Sequence, residues 1–126
     1  IGNRKRLVSE AVELLEMRVG HVVKMSSLYE TEPWGFSSPN KFINACVCCE
    51  TLLSPHEVLW ATQRIEKELG RTGKSVNGDY KDRVIDIDIL LYDDLHIDDP
   101  DLKIPHPLMH DREFVMKPLR ELGVRS

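Results

Sequence analysis

The chain has 126 residues, of which 41% are hydrophobic and 30% charged, and this suits a single domain spanning residues 1–126. Its net charge of −4 argues against a dedicated nucleic-acid binder, since such domains are usually basic. No apolar run approaches the roughly 20 residues that cross a bilayer, so neither nucleic acid nor membrane is expected as a partner. Cys46, Cys48 and Cys49 crowd one apolar segment. An odd, clustered count does not read as a disulfide framework, and a reducing cytoplasm is the simpler expectation.

In chain order, Asn3 to Val19 reads as an amphipathic helix, with Val8, Ala11, Val12, Leu15 and Val19 at helical spacing and Gly20 as its stop. His21 to Tyr29 is β-rich. Glu30 to Asn40 holds Pro33, Gly35 and Pro39 and reads as a loop. Phe42 to Leu53 is a second β-rich segment. Ser54-Pro55-His56-Glu57 is a helix start: Ser54 caps, Pro55 suits the first helical position and Glu57 completes a capping box. Val58, Ala61, Thr62, Ile65 and Leu69 mark the buried face of that helix, and Gly70 is expected to end it. A polar loop follows from Arg71 to Asp82. Val84 to Tyr92 reads as the clearest strand, Asp93 to Pro107 as turns, and Met109 to Leu122 as a helix interrupted near Pro118. This order predicts an α+β sandwich with a largely antiparallel sheet.

The chemistry concentrates on the predicted strand. Alternation sends Asp86 and Asp88 to one face, roughly 6.6 Å apart, and Ile85, Ile87 and Ile89 to the other. Two carboxylates so placed can share magnesium, which takes oxygen ligands. On spacing alone, a solvated sheet face with two aspartates is the commoner arrangement. The preceding loop shifts the balance, because Arg71, Lys74, Lys81 and Arg83 supply the cations a triphosphate needs. Gly73 and Gly78 would let that loop close as a lid. Gly70-Arg71-Thr72-Gly73-Lys74-Ser75 is not a Walker A motif, because the glycine spacing is too short and a helix precedes it.

Other candidates are less specific. Gln63 and Glu66 lie three apart, off the apolar face of the second helix. Trp34 and Phe42 flank the proline-rich loop, where they either pack in the core or sandwich a flat heterocycle whose edge Asn44 could read. Pro105-His106-Pro107 restricts the backbone around a histidine that either serves structure or donates to a phosphate, with Arg112 just beyond. A zinc site from His106, His110 and the cysteines is disfavoured, because Cys-x-Cys-Cys in a strand splits its thiols between faces.

Several segments together resemble a known family. These are Ser27-Leu28-Tyr29-Glu30-Thr31-Glu32-Pro33-Trp34-Gly35, Phe42-Ile43-Asn44-Ala45, Gln63-Arg64-Ile65-Glu66, Gly70-Arg71, Arg83 to Leu90, Ile104-Pro105-His106-Pro107 and Arg112-Glu113-Phe114-Val115. In that order they resemble the 6-hydroxymethyl-7,8-dihydropterin pyrophosphokinases of folate biosynthesis. The resemblance implies transfer of the β,γ-pyrophosphoryl group of ATP to the pterin hydroxymethyl, with release of AMP. It implies Asp86 and Asp88 as ligands of two magnesium ions, with Arg71 and Arg83 assisting transfer. It implies Gln63, Glu66, Lys74, Arg83, Ile89, His106 and Arg112 on the ATP side. Thr31, Pro33, Trp34, Phe42, Asn44, Tyr80 and Phe114 would form the pterin pocket or its lid. It further implies a ferredoxin-like fold acting as a monomer on small-molecule substrates. The family opens with a strand ending in Gly-Ser-Asn-x-Gly-Asp-Arg, of which these residues retain Gly2-Asn3-Arg4; the strand itself is expected to belong to the protein. Tyr80 stands where many relatives have tryptophan. A non-catalytic ferredoxin-like module binding RNA or a regulatory ligand is the alternative, and a different metal-dependent nucleotide transferase is a third.

Overall fold

The computed structural model describes residues 2–31, 42–72 and 85–123. Helix α1 (Gly2–Arg18) leads into β1 (Gly20–Met25) and β2 (Tyr29–Thr31). Strands β3 (Phe42–Asn44) and β4 (Val47–Thr51) precede helix α2 (Pro55–Thr72). A small hairpin, β5 (Ile97–Asp99) and β6 (Leu102–Ile104), is followed by a 3-10 turn (Met109–Asp111) and helix α3 (Glu113–Glu121). The protein is α+β. Its described strands form three two-stranded antiparallel sheets, β1–β4, β2–β3 and β5–β6.

The first core lies between α1 and α2. Ala11, Leu15 and Val19 meet Val58, Ile65 and Leu69, and Leu7, Leu14, Val22, Val47 and Leu53 pack around them. The stripe of α1 is turned slightly from the expected one: Leu7 and Leu14 join the cluster, while Val8 and Val12 stay half-buried. A bidentate Arg18–Glu68 pair ties the two helices at their surface. Helix α2 opens on the expected capping box. The Ser54 N–H donates to Glu57 Oε1 at 2.8 Å, and the Glu57 N–H donates to Ser54 Oγ at 3.3 Å, so two otherwise unpaired amides are satisfied. The second core joins Cys46, Met109, Leu119 and Leu122, with Leu90, Leu91, Val115 and Met116 against them. Burial pushes the Cys46 thiol pKa up, which marks it as a packing residue and not a nucleophile.

Five sequence expectations are corrected. Residues 85–92 carry no β-ladder among the described residues. They keep the in–out burial of an extended chain through Ile89, but the backbone donor of Ile87 goes to a side chain and not to a neighbouring strand. Gly20 does not merely end α1; it starts β1, where a Cβ would sit 1.9 Å from the Glu50 carbonyl oxygen. The close backbone approach of β1 to β4 therefore requires glycine there. Helix α2 runs through Gly70 to Thr72. Helix α3 runs through Pro118, and the break in the 109–122 segment falls at Arg112 instead. Pro118 is fully buried, and that packing offsets the roughly 3 kcal/mol that an interior proline costs a helix. The turn-rich stretch after Tyr92 also contains the β5–β6 hairpin, which three-residue strands made invisible to periodicity.

Ile65 has no exposed surface, whereas Leu52 is fully exposed. Ile65→Ala is expected to lower unfolding free energy by about 2–5 kcal/mol, and Leu52→Ala to change it by less than about 0.5 kcal/mol. Urea titration followed by circular dichroism reads both.

Candidate active site

The site is organised by the segment from Ile85 to Tyr92. Ile85, Ile87, Ile89 and Tyr92 pack on the first core, while Leu90 and Leu91 pack on the second. The segment thus runs between the two cores and is pinned by both. Asp86 and Asp88, on the face opposite the isoleucines, are exposed. Three hydrogen bonds fix the register. The Ile87 N–H, between the two aspartates, donates to Glu66 Oε2 of α2. The His106 N–H donates to the Leu90 carbonyl at 2.9 Å. The Tyr92 hydroxyl donates to the Leu53 carbonyl. Glu66 is half-buried, so the sequence-predicted ATP-side residue here also holds the carboxylate segment to α2.

Beside Asp88 lies an open cleft of about 260 Å³ lined by Leu59, Ile87, Asp88, Ile89 and, from the hairpin side, Pro100 to Lys103, His106 and Pro107. Three of the predicted residues, Asp88, Ile89 and His106, therefore share one concavity. The cleft also includes Leu59, Asp101 and Lys103, which sequence reasoning missed. Leu59 looked like any half-buried helix position, and Asp101 and Lys103 sit on a hairpin too short to be recognised. His106 follows a cis Ile104–Pro105 peptide. Its Nδ1 accepts from the Leu108 N–H at 3.3 Å, which puts the neutral ring's proton on Nε2 and leaves that nitrogen as a donor for an anion.

A second group of metal-type donors stands next to the cleft. His56 Nε2 lies 3.2 Å from Asp99 Oδ2 and 3.5 Å from Asp101 Oδ1, and the three donor atoms fall within 4.8 Å of one another. The imidazole ties the first turn of α2 to the hairpin that carries Asp101 and Lys103.

The remaining candidates distribute as follows. Gln63 is exposed on α2, three residues before Glu66. Arg112 sits at the N-terminal boundary of α3, and its guanidinium lies 5.7 Å from the centre of the Phe114 ring. This cation–π contact joins a predicted ATP-side residue to a predicted pterin-side one. Asn44 is half-buried on β3, paired with Tyr29 of β2, and Thr31 pairs with Phe42; of Thr31 and Phe42 the backbone alone is described. Arg71 is described only as part of α2. Pro33, Trp34, Lys74, Tyr80 and Arg83 lie outside the described residues.

The geometry defines an α+β protein with a carboxylate pair on a pinned segment and an adjoining cleft that offers a histidine and a lysine. The comparisons make this specific. Residues 1–124 match the family model described as 7,8-dihydro-6-hydroxymethylpterin-pyrophosphokinase. The chain is 50% identical over 124 residues to the 2-amino-4-hydroxy-6-hydroxymethyldihydropteridine pyrophosphokinase of Porphyromonas gingivalis, covering 98% of this chain and 84% of that protein. It is 42% identical over 123 residues to the enzyme of the same name from Bacillus subtilis, covering 97% and 72%. It is also 38% identical over 122 residues to the mitochondrial folate synthesis bifunctional protein of Pisum sativum, covering 97% of this chain and 23% of that one. The chain belongs to the pterin pyrophosphokinase family.

The Ile87–Glu66 contact makes a testable claim. A hydrogen bond to a charged acceptor contributes about 1.5–3 kcal/mol, so Glu66→Ala should destabilise by that amount. Glu66→Gln, which keeps a carbonyl acceptor, should cost less than half as much. Thermal melts of the two variants supply the comparison.

Proposed function

We propose that this chain transfers pyrophosphate from ATP to 6-hydroxymethyl-7,8-dihydropterin, and that Asp86 and Asp88 are its metal-binding face. The observation that carries the site reading is the alternation of two exposed carboxylates with half-buried Ile85, Ile87 and Ile89 on a segment anchored to both cores. Such anchoring gives a highly charged reactant a rigid platform. Exposed carboxylate oxygens are the donors that magnesium prefers, so the residues fit a pair of ions shared with the triphosphate. When bound, magnesium supplies Lewis-acid stabilisation of the phosphate oxygens.

The protein's own residues do the rest. His106 Nε2 donates to a phosphate oxygen; Lys103, on the same cleft and paired with Asp98 at 2.5 Å, would exchange that partner for phosphate. Ile89 and Leu59 offer apolar surface for the nucleotide. Gln63, Glu66, Lys74 and Arg112 complete the ATP side, and Arg71 and Arg83 offset charge on the transferring group. Thr31, Pro33, Trp34, Phe42, Asn44, Tyr80 and Phe114 hold the pterin, whose flat ring suits aromatic neighbours. In the reaction the pterin hydroxymethyl oxygen bonds to the β-phosphorus while the bond from that phosphorus to the α,β-bridging oxygen breaks. AMP leaves with the bridging oxygen, and the hydroxyl proton is lost.

The finer architecture fits the same reading: a ferredoxin-like sandwich forming a single domain across 1–126 and acting as a monomer. Three free thiols suit a reducing compartment, which supports a cytoplasmic enzyme. No helix among the described residues is long and apolar enough to cross a membrane.

Asp86→Ala and Asp88→Ala should each reduce pterin-dependent AMP release by at least about a hundred-fold, the scale of losing a principal electrostatic contact in a transfer reaction, with the circular dichroism spectrum preserved. Wild-type rates in both variants would sink the metal assignment.

A further inference from the structure

The last residue of α3 makes a contact that the pyrophosphokinase reading does not use. The Glu121 carboxylate accepts three hydrogen bonds from the chain that leads into and forms β2. The Ser27 N–H and the Ser27 hydroxyl each donate to Oε2 at 2.9 Å, and the Tyr29 hydroxyl donates to Oε1. One turn earlier on the same helix, Lys117 Nζ lies 5.7 Å from the centre of the Tyr29 ring. Tyr29 is thus held at its hydroxyl by Glu121 and at its face by Lys117. These bonds hold the Glu121 carboxyl below its ordinary range and push the Tyr29 hydroxyl up, each mainly through their mutual hydrogen bond.

What this clamp fixes is informative. Tyr29 pairs directly with Asn44 across β2–β3, and Thr31 pairs with Phe42. Just before β2, the Ser26 N–H donates to the Cys46 carbonyl and the Cys46 N–H donates to the buried Ser26 hydroxyl, both at 2.9 Å. The two strands are therefore bonded to each other as one unit. Helix α3 begins with Glu113 and Phe114 and ends with Glu121. Asn44 reaches the site from the β2–β3 pair, and Phe114 reaches it from α3. The Glu121 clamp is a direct polar link between those two bodies.

We infer that Glu121 is a positioning residue for the pterin: by gripping Ser27 and Tyr29 it sets the β2–β3 pair against α3 and so fixes Asn44 relative to Phe114. The inference rests on the proposal that these two residues contact the pterin. Glu121 and its partners are exposed or half-buried, so the clamp is not a core contact. Its loss acts by lowering the population of the binding-competent arrangement, and the apparent dissociation constant rises by the inverse of that fraction. Among the described residues proposed for the ATP side, only Arg112 adjoins α3, so a nucleotide bound at the Asp88–His106 cleft depends on this arrangement far less than the pterin does.

The test measures dissociation constants calorimetrically for the full chain and its variants. The ligands are a non-hydrolysable ATP analogue with magnesium, and then the pterin added to that complex; steady-state KM and kcat are measured alongside. Glu121→Ala is expected to raise the pterin Kd and KM about ten-fold while changing the analogue Kd less than about two-fold. Tyr29→Phe and Glu121→Gln should raise the pterin Kd about three-fold. Adding Tyr29→Phe to Glu121→Ala should change nothing more, because the acceptor is already gone. A pterin Kd within two-fold of wild type in both Glu121→Ala and Tyr29→Phe overturns the inference. So does an equal weakening of pterin and analogue, which would mean general loosening. Should Glu121→Ala fail to fold, Tyr29→Phe decides alone. Asn44→Ala separates the two levels: if it weakens the pterin while the clamp variants do not, the clamp fails and the pocket stands; if it binds the pterin as wild type does, both fail.

Discussion

Much of the site depends on how one short segment, Ile85 to Tyr92, is held by side-chain packing and by Glu66, with no ladder to it among the described residues. From Ile85 to Ile89 the chain alternates apolar and acidic residues, and burying the isoleucines fixes which way the aspartates face. Full burial of such a side chain is worth on the order of 1.5–3 kcal/mol, and these three, half-buried, each contribute part of that. Between the two aspartates the register is set by Glu66, which takes the Ile87 amide. A half-buried carboxylate with a backbone donor is satisfied, whereas the amide alone would carry a desolvation cost of about 1–3 kcal/mol. After Ile89 the alternation lapses. Leu90 and Leu91 both turn to the α3 side, and Tyr92 returns to the α1–α2 side. The segment therefore stitches the two cores together, and the carboxylate pair sits at the seam.

In the proposed site, that position lets one small domain serve two substrates. The cleft next to Asp88 is built from α2, the carboxylate segment and the β5–β6 hairpin. The other side is built from β2–β3 and α3. The two sides touch where Arg112 lies over Phe114. A transfer reaction needs its reactants held within fractions of an ångström, so the polar ties between these parts matter as much as the residues that touch substrate. The Glu66, His56 and Glu121 contacts are ties of this kind. Each joins a helix to a short β element or extended segment.

How much of this was legible in the sequence varied with the physics of each element. The capping box at Ser54 and the apolar face of α2 were readable, because both are local and periodic. The orientation of Asp86 and Asp88 was readable for the same reason. That 85–92 forms no ladder among the described residues was not, since pairing depends on what lies alongside and alternation looks the same in either case. Gly20 was read as a helix stop when its constraint comes from β4, thirty residues away. Pro118 suggests a break, yet its full burial overrides propensity. The cleft residues Leu59, Asp101 and Lys103 carry no local signature, because only the docking of a three-residue hairpin brings them to Asp88. The activity itself came from the family resemblance, which the comparisons bear out, and not from spacing, which by itself favoured a solvated acidic face.

The central claim is that the Asp86–Asp88 face binds nucleotide through a shared metal. Calorimetric titration of a non-hydrolysable ATP analogue, once with magnesium and once with a chelator, in the wild type and in the Asp86→Asn, Asp88→Asn double variant, tests it most directly. The account predicts binding at least about ten-fold tighter with magnesium in the wild type, and no such difference in the double variant. Equal affinity with magnesium and with chelator in the wild type would contradict it.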